Sequence, residues 1–271
     1  MISLPLTGKT LRGYAVVIVG AHLLLCAFAA LYMVVTASVP IERSLEMLNL
    51  EWVRSLLTAL LGSDVGSQFT PNGITAFFFV HPLMWTLVVA TLITISTGVM
   101  AGEVDRGTMD LLASLPISRA RQYGSHSLVL VALGAPFIVA ILVGIRLGLA
   151  IKPQKEIEFW RLAIVAGHLY VVYVTLSACC LAVSAMCNRR GVAAGICFVA
   201  IFYCFVINFL AELWGPAKRI SWTSFLHYYR PLPIVRAGAW QVRELAILLS
   251  VATAFWAGGL MAWTRRDIPA R

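Results

Sequence analysis

GEVDRGTMDLLASLPISRAR, from Gly102 to Arg121, lies between two apolar runs and shares the character of neither. It mixes acids, bases and apolar residues at helical spacing. Read as a helix over Glu103 to Leu115, it gathers Val104, Thr108, Leu111, Leu112 and Leu115 on one face. Glu103, Asp105, Arg106, Asp110 and Ser114 cover much of the rest. Acids at Glu103 and Asp105 suit the positive end of a helix dipole. Pro116 ends the helix, because the residue before a proline avoids the α region. Ser118 is placed to cap a second short helix starting at Arg119. Such a bent, polar element cannot cross a bilayer, so it separates two hydrocarbon segments and sets a span-loop-span pattern.

The rest of the chain fits that pattern. Of 271 residues, 60% are hydrophobic and 12% charged, with a mean hydropathy of +0.87. Soluble domains carry about twice that charge fraction. The expected fold is all-α and polytopic, with spans of about 14–37, 82–101, 128–150, 162–187, 191–214 and 245–263. Pro136 is a kink candidate in the third. Between them lie an element at 102–126 and longer loops at 38–81 and 215–244. The whole chain reads as a single transmembrane domain. The N-terminal apolar run is too long for a signal-peptide core and reads as a retained first span.

Six spans place both termini on one side. The terminal side holds ten Lys and Arg, the other eleven, so the raw count does not orient the chain. The terminal-side segments are shorter and denser in base, which favours both termini in the cytoplasm and a home in the inner membrane. The net charge of +9 is then flanking charge, not a nucleic-acid footprint. On this orientation the amphipathic stretch from Pro40 to Ser63, with Leu45, Leu48, Trp52, Leu56 and Leu60 at helical spacing, lies along the outer surface or packs on the bundle.

Pattern alone leaves two roles for the opening stretch: a helix lying in the lipid interface, or a docking element for a cytoplasmic partner. Its residues Glu103, Asp105, Arg106, Gly107, Thr108, Leu111, Leu112, Pro116, Ser118 and Arg119 resemble, in type and spacing, the cytoplasmic element of ABC-2 type permeases. HPLMWTLV, from His81, is similar to the start of the second span in that family, and WTRRDI, with Arg265, Arg266 and Asp267, to its C-terminal end. The subgroup most similar is the permease of nitrous-oxide-reductase maturation systems. The resemblance implies a homodimer, each copy bound to a separate cytoplasmic ABC ATPase that carries the ATP and Mg. It implies that the ten residues couple the ATPase to spans two and three. It leaves room for a periplasmic accessory protein, and it favours export.

No cofactor is expected in this chain. Gly8-Lys9-Thr10 ends like a phosphate loop, but the required glycine five residues earlier is Ser3, and a span follows at once. Lys9 and Arg12 read as an anchor for span one. The six cysteines fall in spans without metal spacing. Ser177, Ser184 and His168 form no recognised catalytic set. Acids are nearly absent from the spans, which disfavours a proton-coupled carrier. A membrane anchor or scaffold without a transport path is the remaining alternative. Gly98-x-x-x-Gly102, Gly144-x-x-x-Gly148 and Gly191-x-x-x-Gly195 are sites of close helix approach. Arg146 is expected to snorkel, and His22 and Asn208 to bond between helices. In the last loop Trp222, Tyr228 and Tyr229 suit an interfacial belt or an outer gate.

Overall fold

In hydrocarbon, a backbone stretch of about 20 residues is stable when its polar groups bond one another within a helix. A computed structural model of the protein, describing residues 3–38, 50–61, 70–109, 116–154 and 156–267, realises this throughout. In chain order the helices are α1 (Leu4–Gly13), α2 (Ala15–Thr36), α3 (Glu51–Leu61), α4 (Pro71–Ala76), α5 (Pro82–Val99), α6 (Ala101–Asp105), α7 (Arg119–Ile151), α8 (Phe159–Met186), α9 (Arg190–Leu213), α10 (Gly215–Ile220), α11 (Pro231–Ala237) and α12 (Val242–Arg265). No strand occurs among the described residues. Helices α2, α5, α7, α8, α9 and α12 are long and apolar enough to cross a membrane.

Contacts between elements fix the topology. On one face, the Ser3 amide donates to Ser125 Oγ at 2.9 Å near the start of α7, and Arg119 donates to the Arg266 carbonyl just beyond α12. Both described chain ends therefore share that face, called the terminal face below. On the far face, Lys152 after α7 donates to Ser38 after α2 at 2.9 Å, and Asn72 of α4 accepts from the Glu158 amide at 3.0 Å before α8.

Helix α8 is the core, with its run from Thr175 to Ala182 buried. Helix α12 packs along it: the Cα of Ala182 lies 2.7 Å from where a Cβ on Gly259 would sit, and Thr175 Oγ1 donates to the Leu248 carbonyl at 3.1 Å. Helix α2 packs along α7 through Gly144 and Gly148. A Cβ would meet Ala29 Cβ at 2.7 Å from the first and Met33 Cβ at 2.5 Å from the second. That glycine pair serves internal packing. Nothing lies within 4 Å of a Cβ built on Gly191 or Gly195, so among the described residues that pair makes no close helix contact. Large apolar side chains such as Val16, Leu23, Val199 and Phe202 face outward. In water that surface would aggregate, whereas against lipid tails it is the expected exterior.

Several sequence expectations need correction. A helix, α1, precedes the first span where only a basic flank was expected. Helix α7 begins at Arg119, so the short second helix is the continuous start of the third span. Helix α4 and a 3-10 turn over Phe77–Val80 extend the second span back into the preceding loop, with Phe78 and Phe79 fully buried. Helix α3 packs on α9, with Val53 turned inward while Trp52 of the apolar stripe faces out. Residues 39–49 of that amphipathic stretch lie outside the described residues. His22 bonds the Ile18 carbonyl of its own helix and stacks on Phe137 at 4.1 Å, so its tie between helices is a ring contact and not a hydrogen bond. Arg146 lies 5.0 Å over the Phe159 ring.

Gly148→Leu should force α2 off α7, with an overpacking cost of about 1–3 kcal/mol or more. The expected readout is a lower melting temperature and loss of the monodisperse peak in detergent. Gly195→Ala should leave both unchanged within the single chain, and equal effects from the two substitutions would contradict this packing.

Candidate functional site: the polar element of the terminal face

The element begins where span two breaks. Met100 leaves helical geometry, with φ −125° and ψ −73°, and α6 follows for five residues. The Ala101 amide freed by the break donates to Ser184 Oγ at 3.1 Å. Ser184 thus holds a helix junction, while Ser177 bonds the Tyr173 carbonyl and His168 accepts from the Gln241 amide at 3.0 Å. All three are structural. Helix α6 ends at Asp105, and the chain turns over Arg106 to Thr108 through Gly107, whose φ of 70° lies in the left-handed region that favours glycine. The helix expected over Glu103 to Leu115 is thus interrupted at this turn. Met109 is helical again, and residues 110–115, Leu111 and Leu112 among them, lie outside the described residues.

Glu103 is the centre of the site. Its side chain is 13% exposed and bonds Lys9 Nζ of α1 at 3.2 Å and Arg106 Nη2 at 3.2 Å. Thr108 Oγ1 donates both to its carboxylate and to its carbonyl oxygen. Burial alone would push this carboxyl up. The Thr108 hydrogen bond and the charges of Lys9 and Arg106 outweigh it and hold the group below the usual carboxylate range. Asp105 accepts from the Arg190 amide at 3.2 Å and so caps α9, whose own preceding residue Arg189 supplies no side-chain cap. The Arg190 side chain then reaches the Thr94 carbonyl of α5 at 3.2 Å.

The other end of the element is held as firmly. Pro116 is an exposed bend, and Ser118 caps α7 by accepting from the Arg121 amide at 3.3 Å. Arg119 bonds the Arg266 carbonyl, and Arg266 bonds Asn188 and the carbonyls of Ala185 and Cys187 at the end of α8. Glu103, Asp105, Arg106, Gly107 and Thr108 form one cluster, and Ser118 and Arg119 belong to a second on the same face. Lys9, Arg190 and Arg266 complete them, and sequence reasoning gave them no pairing role. Their signal was a basic residue beside each span end, which reads as topology and not as a partner.

The phosphate-loop look-alike is settled by geometry: Gly8, Lys9 and Thr10 lie inside α1, and Thr10 Oγ1 donates to the Leu6 carbonyl. Among the described residues no three metal-ligating side chains converge. On the far face, Tyr228 donates to the Trp222 carbonyl at 2.9 Å. Tyr229 instead points into the bundle, edge-on to Trp85 with ring centroids 6.3 Å apart. The three aromatics are thus not one cluster.

Six apolar helices, both described ends on one face and a polar element pinned there define a multi-pass helical membrane protein. A family model described as an ABC-2 family transporter protein matches residues 8–267, and the chain belongs to that family. It is a permease subunit of an ABC transporter, and the family implies an ABC ATPase as partner. No curated protein matches the chain at a significant level.

Glu103→Gln should lower thermal stability by about 1–3 kcal/mol, the scale of hydrogen bonds to a charged group. Because the folded carboxyl is held low, its contribution is present above the ordinary value of 4.5 and is lost as pH falls through the lower folded value. Melting curves of wild type and Glu103→Gln should therefore converge in that acid window. Curves that stay parallel down to acid pH would remove the ion-pair cluster as a stabilising feature. Gly107→Ala should cost about 1–2 kcal/mol through its left-handed φ, read in the same melts.

Proposed function

We propose that the chain works as a homodimer in the inner membrane, with both termini in the cytoplasm, as the permease of an ATP-driven exporter. A separate ATPase, carrying the ATP and Mg, seats against the surface running from Arg106 through the turn to Pro116 and Ser118. One observation carries this reading. The break at Met100, where span two ends, leads directly into a polar element whose inner side, Glu103 and Asp105, is tied to α1 and α9. Its outer side, Arg106, Pro116 and Ser118, is exposed.

The division of labour follows from that geometry. Sequence reasoning gave Glu103 and Asp105 to the partner, whereas their hydrogen bonds run to this chain. They tie α6 to α1 and α9, and Arg106, Leu111, Leu112 and Pro116 are assigned to meet the ATPase. Closure of two ATPases would pull on the element, and the motion would pass through these ties to α5, α7 and α9 together. Access to a path between the two copies would switch as those helices tilt. Burial of Tyr229 against Trp85 gives the far face a candidate plug, with Trp222 and Tyr228 at its rim.

Co-purification tests the docking. Leu111→Asp with Leu112→Asp should release the ATPase at least tenfold while the permease stays in the membrane fraction. Undiminished ATPase recovery would contradict a docking role for the element. Sidedness is read separately by impermeant thiol labelling of Ser118→Cys in intact cells. Protection until the membrane is opened is the expected result, and direct labelling from outside would reverse the orientation.

A further inference from the structure

Lys9, Arg106 and Arg190 come from three separate elements and line one recess of about 330 Å³ on the terminal face. Both arginine side chains pass over Gly102, and the Arg190 guanidinium goes on to donate to the Thr94 carbonyl. A Cβ built there would lie 3.4 Å from both Arg106 Nη1 and Arg190 Cδ. The carboxylate lining the recess is Glu103, and Lys9 and Arg106 already bond it. Lys9, Arg106 and Arg190 outnumber Glu103 and the neighbouring Asp105, which accepts from the Arg190 amide, so the recess keeps a net positive charge that an anion would offset.

The remaining walls show where the recess sits. Tyr14 immediately precedes α2, Val99 ends α5 and Arg190 opens α9, so three span ends meet at its level. Helix α1 covers one side and presents exposed Leu4 and Leu11 outward, as an interfacial helix does. That is the depth at which hydrocarbon gives way to headgroups.

We propose that this recess binds a phosphate-bearing anion, with Arg106 and Arg190 as the guanidinium donors, Lys9 as the neutralising ammonium and the Tyr14 hydroxyl at the wall. Guanidinium groups match phosphate oxygens in a planar fork, which an ammonium alone does not. A phospholipid headgroup and a free phosphate share this chemistry, and the level of the span ends favours the lipid. The site stands whether or not the neighbouring element docks an ATPase. Because Arg106 belongs to both, an occupant would brace the turn after α6 from within.

The test uses the intact protein in detergent, delipidated and then offered phosphatidylglycerol, phosphatidylcholine or inorganic phosphate. Retained lipid is read by native mass spectrometry and stabilisation by melting temperature. Wild type should keep phosphatidylglycerol at least tenfold better than Arg106→Gln/Arg190→Gln, while Arg12→Gln, an exposed base outside the recess, should match wild type. If inorganic phosphate stabilises wild type but not the double variant, and lipid retention is equal, the anion site stands with a soluble occupant. If the double variant does not accumulate, Lys9→Gln/Arg106→Gln removes two half-exposed cations and should show the same loss. Equal binding of every anion by wild type and variants, or no binding by wild type, overturns the proposal.

Discussion

A single carboxylate, Glu103, sets the character of the terminal face. It stands just past the break in span two and is bonded by α1 through Lys9, by the following turn through Arg106 and by Thr108. Two residues later Asp105 closes the start of α9. Without these bonds the chain between two spans would be a hinge. With them, the end of span two, the N-terminal helix and the start of span five are one body. A half-buried ion pair surrounded by hydrogen bonds is weak as a net source of stability but costly to break on one side. It therefore specifies an arrangement more than it strengthens one.

The spans were legible in the sequence because hydrocarbon selects for length and apolarity, and little else competes with those signals. The cap at Ser118 was legible because it is local. The reach of α7 back to Arg119 was not. RARQYGSHS is too polar to read as part of a span, and it is helical here because neighbours satisfy it. Ser125 accepts from Ser3, Thr10 meets His126, and Ser127 accepts from Trp256. The partner of Glu103 was hidden for a related reason: Lys9 is 94 positions away, and a basic residue before a span has a sufficient explanation in topology. Sequence reading thus named Glu103 and Asp105 for coupling without the bonds they make within the chain.

Both faces carry ion pairs and hydrogen bonds to carbonyls, which fix direction and distance: on the far face Arg161 pairs with Glu158 and donates to the Val235 and Arg236 carbonyls, and Arg230 pairs with Glu212. The far face adds ring packing, with Phe28, Tyr32 and Phe78 against one another and Trp85 between Phe205 and Tyr229. Along its flanks the protein offers lipid an apolar wall, which includes the open glycine pair of α9.

Hydrogen–deuterium exchange on the intact protein tests the claim that the polar element and the span ends form one body most directly, since amide protection reports local opening. Peptides covering residues 100–109 should exchange as slowly as the ends of α5 and α9. In Glu103→Gln/Asp105→Asn they should speed up together with α1 and the first turn of α9, leaving α8 unchanged. Fast exchange of residues 100–109 already in the wild type, or an acceleration confined to them in the variant, would contradict it.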